Sequence, residues 1–108
     1  MQIKKQLEKD IQLAICQYLE LKRHFFWRSN TVGMYDPTKK VFRAMPKYGM
    51  SGIPDIIVIK DGFFIGLEVK QTKGRQSDSQ KEFQRLCKEN GAEYHIVTSI
   101  DDVREIGL

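Results

Sequence analysis

The sequence predicts one mixed α/β domain, in which a β-sheet is flanked by helices in the element order α-β-β-β-α-β-α. Three observations support this prediction. Apolar residues recur at helical spacing near the amino terminus and again in residues 79–89, the turn-forming pair Asp61-Gly62 joins two apolar runs, and a further short apolar run separates the last two helical segments. The chain of 108 residues is long enough for one core and too short for two.

The first helix is predicted from Ile3 to about Arg23, because apolar side chains recur there every three or four residues. The aromatic run Phe25–Ser29 that follows is typical of a strand, and we expect Phe26 and Trp27 to lie in the core rather than to stack on bases. Residues 30–51 contain several Gly and Pro, and only Val41–Met45 resembles a strand. This segment is predicted to be a ragged hairpin or a mobile loop.

A β-hairpin is predicted over residues 55–70. Asp-Gly between two apolar runs favours a type I′ turn, because both central residues of that turn need positive φ. A helix over residues 79–89 follows, and Asn90-Gly91 provides its end. The chain then continues as a strand over residues 94–99 and a short helix over residues 101–106.

The composition excludes several classes of protein. Hydrophobic residues make up 41% and charged residues 30% of the chain, as in soluble globular domains rather than disordered ones. The first twelve residues lack the apolar segment of a signal peptide, and no window approaches the ~20 apolar residues that span a bilayer. We therefore expect a cytoplasmic protein without membrane contact. Cys16 and Cys87 have no CxxC pattern, so they are interpreted as reduced packing residues rather than a disulfide or zinc site.

The net charge of +4 indicates a polyanionic partner without distinguishing DNA from RNA or an acidic protein. Basic residues are concentrated in residues 28–47 and 70–75. In these segments the candidate phosphate contacts are Arg28, Asn30, Lys47, Lys73 and Arg75. As alternatives, Arg28 and Asn30 cap the edges of the sheet, and the three loop residues are ordinary solvated charges.

The predicted hairpin brings two acids together. With a two-residue turn at Asp61-Gly62, Asp55 faces Glu68 directly, and the Cβ atoms of such a pair are ~4.5–5.5 Å apart. Lys70 lies on the same face as Glu68, because side chains alternate along a strand. Two opposed carboxylates repel each other unless one is protonated or a cation lies between them. The pattern therefore favours a hard divalent ion such as Mg²⁺ over the alternative of solvated acids at strand ends.

This arrangement resembles the PD-(D/E)xK nuclease superfamily and, within it, the VRR-NUC family. The resemblance covers nearly the whole chain. The matching segments are a first helix with an early Glu, then Trp27-Arg28-Ser29-Asn30, Gly52-Ile53-Pro54-Asp55, Glu68-Val69-Lys70 and the pair Ser77 and Gln80. The resemblance implies a restriction-endonuclease-like mixed sheet flanked by helices.

The resemblance also implies roles for the polar residues. Asp55 and Glu68 are expected to bind Mg²⁺ or Mn²⁺, with the backbone carbonyl of Val69 as a further ligand. Lys70 is expected to orient or deprotonate the attacking water and to offset charge on the reacting phosphate. Gln80, at the start of the next helix, is expected to hydrogen-bond near Lys70 or a phosphate; its alternative is an ordinary surface residue.

Glu8 is the candidate third carboxylate. It lies one and two turns before Ile11 and Ile15 and therefore borders the core-facing side of the first helix. Asp10 and Glu20 occupy other sides of that helix. The alternative is a solvated acid that stabilises the first helical turn.

The sequence therefore predicts a metal-dependent endonuclease that hydrolyses DNA phosphodiester bonds. The resemblance implies that domains of this size are phage or prophage proteins that act as homodimers in bacterial cytoplasm and cut branched DNA such as four-way junctions. Two alternatives from other classes remain. One is a DNA-binding or assembly module that keeps the fold without turnover, and the other is a site-specific restriction-type nuclease.

Overall fold

The computed structural model describes residues 7–29, 35–36, 41–42 and 47–108. Within these residues the helices and strands alternate largely as the sequence predicts. The elements are α1 (Glu8–Leu21), β1 (Phe25–Arg28), β2 (Tyr35–Asp36), β3 (Val41–Phe42), β4 (Ile56–Lys60), β5 (Phe63–Val69), α2 (Asp78–Glu89), β6 (Glu93–Val97) and α3 (Ile100–Glu105).

A four-stranded mixed sheet forms the centre of the fold, in the order β1-β4-β5-β6. β1, β4 and β5 pair antiparallel, whereas β6 pairs parallel to β5 after the crossover through α2. The predicted order α-β-β-β-α-β-α is confirmed for this sheet and the three helices. β2 and β3 form a separate two-stranded antiparallel sheet, so the ragged hairpin is the correct alternative there. Residues 43–45 of the predicted strand lie outside the described residues.

Helix α1 packs on one face of the sheet. Its buried side chains Ile11, Ile15 and Leu19 are spaced by four residues and therefore share one side of the helix. They join the core cluster with Ile56, Leu67 and further buried residues of β4–β6 and α3. Burying a side chain of this size stabilises the fold by about 1.5–3 kcal/mol. The predicted first four residues of this helix lie outside the described residues.

Helix α2 packs on the other face of the sheet. It begins with a complete capping box, in which the Ser77 side chain accepts from the backbone of Gln80 while the Gln80 side chain accepts from the backbone of Ser77. Phe83 of α2 packs between the rings of Phe64 and Tyr94, at centroid distances of 6.5 and 6.2 Å. None of the helices in the described part of the chain is long and apolar enough to cross a membrane.

The turn between β4 and β5 confirms the predicted hairpin. Asp61 has φ of 53° and Gly62 has φ of 81°, as a type I′ turn requires. Lys60 pairs with Phe63, and the register runs back through Val58 and Ile65 to Ile56 and Leu67. The next pair in this register is Asp55 and Glu68.

The two cysteines are buried as predicted, and of the two aromatic residues of β1 expected in the core, one is half-buried and the other is exposed. Cys16 and Cys87 are buried free thiols on α1 and α2. Phe26 packs against the core cluster. The prediction that Trp27 lies in the core is wrong, because its side chain is 42% exposed. The reason is that β1 is an edge strand, and α2 packs on that face over β5 and β6, at the opposite edge of the sheet from β1.

Candidate active site

The two predicted acids meet where β4 begins and β5 ends. Ser29 donates its backbone N–H to the carbonyl of Asp55 at 2.8 Å, which extends the β1–β4 pairing by one residue. Asp55 Oδ2 accepts from the backbone N–H of Val69 at 2.9 Å. The carboxyl group of Asp55 is therefore held against the end of β5, beside Glu68. Both acids lie on the α2 face, since their neighbours Ile56 and Leu67 point into the opposite core.

Glu68 is a buried acid, and only one of its two carboxyl oxygens has a hydrogen-bond partner among the described residues. Its side chain is 3% exposed. Oε1 accepts from Gln80 Nε2 at 2.6 Å and lies 3.7 Å from Lys70 Nζ. Oε2 is buried and has no hydrogen-bond partner among the described residues. A buried oxygen without a partner destabilises the protein by about 1–3 kcal/mol, and by more when it is charged.

The surroundings of Glu68 shift the pKa of its carboxyl group. Burial, and then the negative charge of Asp55, raise the pKa of Glu68 to about 8. Lys70 acts in the opposite direction, and Glu8 adds a further small increase. A proton on Glu68 relieves the repulsion between the two groups. A divalent cation between the two groups would offset their mutual repulsion, so that both could be ionised.

The donor set fits a hard divalent ion. Mg²⁺ binds proteins through one or two carboxylates and keeps several waters, and the partnerless Glu68 Oε2 beside Asp55 is an oxygen of the required kind. The carbonyl of Val69 points to the same side of β5 as its N–H, which contacts Asp55. Within the residues that the structure describes, no group of three or more His, Cys, Asp or Glu side chains could hold a metal ion.

Glu8 is therefore not brought into a three-carboxylate cluster. It is the first residue of α1 and is exposed, and its charge nevertheless contributes to the raised pKa of Glu68. Its assignment as a metal ligand stays a prediction.

Gln80 links the helix cap to the acid pair. Its side-chain oxygen accepts from the backbone N–H of Ser77 at 2.8 Å, and its side-chain nitrogen donates to Glu68 at 2.6 Å. The amide is thus fixed at both ends, and it holds the Glu68 carboxylate in one orientation. From the sequence, Gln80 was expected to hydrogen-bond near Lys70 or a phosphate, and in the structure it binds Glu68, the ion-pair partner of Lys70.

Two glycines allow the loop before Asp55 to pack closely against α2 and the sheet. Neither was assigned a role from the sequence. Gly52 has φ of +78°, and a Cβ there would lie 2.2 Å from the carbonyl oxygen of Ser79 in α2. A Cβ on Gly66 of β5 would lie 2.5 Å from Cγ of the buried Pro54. The loop is therefore clamped between α2 and the sheet. An isolated glycine inside a strand pattern is the sequence signal that indicates such a close approach.

Tyr94 is a further residue that the sequence analysis missed. It is 7% exposed on β6, and its hydroxyl group is buried with no hydrogen-bond partner among the described residues. Burial, followed by the charge of Glu68, raises the pKa of Tyr94. No local signal identifies it, because its position depends on the parallel pairing of Tyr94 with Gly66.

The predicted phosphate contacts do not share one location. Arg28 points to the α1 face, opposite the acids, where its Nε donates to Gln12 Oε1 at 2.7 Å. Lys73 and Arg75 are exposed in the loop that directly follows Lys70, on the route from the acid pair to α2. Lys47 is exposed and lies over the ring of Tyr48 at 5.3 Å. The remaining candidate, residue 30, is outside the described residues.

Comparison with known proteins identifies the fold. No family model matches the sequence, and no curated protein matches it. A solved structure described as a VRR_NUC domain superposes with a TM-score of 0.65 at 20% sequence identity, over 92% of this chain and 91% of the other. The protein therefore has the VRR_NUC fold, as its sequence motifs predicted. In this fold, the acid pair and the lysine beside it define the candidate site.

Proposed function

We propose that the protein is a metal-dependent nuclease that hydrolyses DNA phosphodiester bonds at the Asp55–Glu68 pair. The observation that carries this proposal is the buried Glu68 carboxyl group, which faces a second acid and has one oxygen without a hydrogen-bond partner among the described residues. A structural role alone does not account for a buried acid that faces a second, half-buried acid, because apolar residues at these positions would be buried at a lower cost in free energy. The VRR_NUC fold supports the same proposal.

The residues of the chain act together at one point. A bound Mg²⁺ or Mn²⁺ would supply a polarised water and stabilise negative charge on the phosphate. Asp55 and Glu68 would hold the ion, with the carbonyl of Val69 as a further ligand, and Gln80 keeps Glu68 in place. Lys70, whose side chain is only 12% exposed, places a positive charge 3.7 Å from Glu68. There it orients the attacking water and offsets the charge that develops on the scissile phosphate.

The proposed substrate is branched DNA, including four-way junctions, cut by a homodimer. Resolving a junction requires two symmetric cuts, and this chain offers one candidate site. Lys73 and Arg75, beside the site, are suited to contact the phosphate backbone, which contributes affinity without sequence choice. A phage or prophage protein acting in the cytoplasm of its bacterial host is the setting that we propose for this activity.

The test is a cleavage assay with labelled linear duplex, flap and four-way junction in Mg²⁺, Mn²⁺ or EDTA. We expect metal-dependent cutting of branched DNA that Lys70→Ala abolishes while thermal unfolding stays cooperative. Lys88→Ala, at the exposed far end of α2, is the matched control and should cut normally.

The alternatives give different results in the same assay. Metal-independent binding with no cutting in any metal would show a DNA-binding module and overturn the proposal. Cutting at one sequence in linear duplex would instead indicate a restriction-type nuclease.

A further inference from the structure

Two aromatic side chains project from the edge strand β1 into solvent. Phe25 is 67% exposed and Trp27 is 42% exposed. Their ring centroids are 5.7 Å apart and the planes are inclined by 44°, so neither ring covers the face of the other. Tryptophan is among the residues that proteins bury most on average, and exposed apolar surface of this kind marks interaction sites.

This aromatic pair lies on the same face of the sheet as the acid pair. Trp27 pairs with Ile57, and Phe25 pairs with Ile59. Asp55 is two residues before Ile57, on the same face, because side chains alternate along a strand. Trp27 and Asp55 are therefore diagonal neighbours across β1 and β4. The Cα atoms of such a pair are typically about 7–8 Å apart, which is within reach of an aromatic side chain.

We propose that Trp27, with Phe25 beside it, forms a stacking platform for an unpaired nucleobase next to the scissile phosphate. Aromatic side chains bind bases of any sequence through their π-faces, and this requires a base that is not already stacked within a duplex. A nucleotide whose phosphate lies at the acid pair spans the distance to Trp27 with its base. This inference rests on the proposed function, since that function positions the phosphate.

Charge and position favour a nucleic acid over a protein on this platform. A second copy of the chain carries the same net charge of +4, whereas DNA is a polyanion. A protein seated on rings that border the acid pair would also obstruct DNA from reaching that pair. The substrate that satisfies both sites is DNA with an unpaired nucleotide at the point of cleavage, such as a flap, a gap or an opened junction.

The chain contains a single tryptophan, so its fluorescence reports on Trp27 alone. Tryptophan emission is measured while oligo(dT) or blunt duplex of equal length is added in EDTA, which separates binding from cleavage. We expect strong quenching by oligo(dT) and little by the duplex.

Variants then locate the effect. Because these variants contain no tryptophan, their binding is followed by the fluorescence anisotropy of end-labelled oligo(dT), with wild type measured in the same way. Trp27→Ala should raise the Kd for oligo(dT) by about 5- to 150-fold, equivalent to about 1–3 kcal/mol at 1.4 kcal/mol per tenfold, and Trp27→Phe should restore most of the affinity. Phe63→Ala is the matched control, because Phe63 is 57% exposed at the turn end of the hairpin, on the opposite face, and should bind normally.

Each result decides one of the two proposals separately. The platform is overturned if oligo(dT) leaves the tryptophan emission of wild type unchanged and Trp27→Ala binds oligo(dT) with the same Kd as wild type. This holds even if the protein cuts DNA. The platform is also overturned if the tryptophan emission changes with protein concentration but not with added DNA, and if wild type forms a dimer that Trp27→Ala dissociates. These two results together would assign the rings to a contact between copies of the chain. Quenching of wild type by oligo(dT), together with a Kd that Trp27→Ala raises, in a protein that cuts nothing in any metal, supports the platform and rejects the nuclease.

Discussion

Replacing Glu68 with glutamine tests whether the acid pair is held together by a buried proton in the metal-free protein. Glu68 is 3% exposed, and burial together with Asp55 raises its pKa from the ordinary value of 4.5 to about 8. Between these two values, the folded state keeps a proton on Glu68 that the unfolded chain loses. Glutamine has nearly the same shape and can still accept the bond from Gln80, but it has no such proton.

The sign of the effect follows from proton linkage. The folded state binds the extra proton, so the contribution of Glu68 to stability is fully present below pH 4.5 and is lost as the pH rises to about 8. The slope is about −1.4 kcal/mol in the free energy of unfolding per pH unit, and the whole window amounts to at most about 5 kcal/mol. Glu68→Gln should therefore become more stable relative to wild type as the pH increases.

Urea unfolding in EDTA from pH 5 to pH 8.5 measures this difference. The exposed residue Glu20 of α1 provides the control, and Glu20→Gln should follow the wild-type profile. Adding Mg²⁺ at pH 8 should stabilise wild type more than Glu68→Gln, because the ion binds the ionised pair of the folded state. Parallel profiles for wild type and Glu68→Gln in EDTA would refute the reasoning.

Two further substitutions test how the site is supported. Gly52→Ala should lower the free energy of unfolding by roughly 2 kcal/mol or more in thermal or urea unfolding, because its Cβ would meet the carbonyl of Ser79 at 2.2 Å. Gly91→Ala separates this clash from backbone strain, since Gly91 has the same φ of +78° with nothing within 4 Å, and equal losses in both would count against the clash. Gln80→Ala should lower the stability by about 1–2 kcal/mol through loss of the helix cap and the bond to the buried glutamate, as measured by urea unfolding. Lys81→Ala, on the next exposed position, should have little effect, and a similar loss there would show that the loss in Gln80→Ala does not come from the two hydrogen bonds of Gln80.

The juxtaposition of the two acids was predictable because it is local. Asp-Gly restricts the chain to a turn with two positive φ values, and period-two alternation then determines which side chains share a face. The resulting register places Asp55 opposite Glu68 with no information from distant residues. The capping box of α2 is local in the same way, since Ser77 and Gln80 are three residues apart.

The environment of those residues was not predictable from the sequence. The environment of Glu68 depends on β6 pairing parallel to β5 and on α2 returning over that face, which brings Gln80 and Tyr94 near it. Arg28 and Trp27 are adjacent in sequence, yet one faces Gln12 of α1 and the other faces solvent beside the acids.

The sequence by itself determined the hairpin, the pairing of the two acids and the lysine beside them. Only the tertiary structure decided that one acid is buried, with an oxygen that no described residue hydrogen-bonds, and that the tryptophan is exposed. The physical reason is that register depends on the backbone preferences of a few neighbouring residues, whereas burial depends on which distant elements cover a face of the sheet.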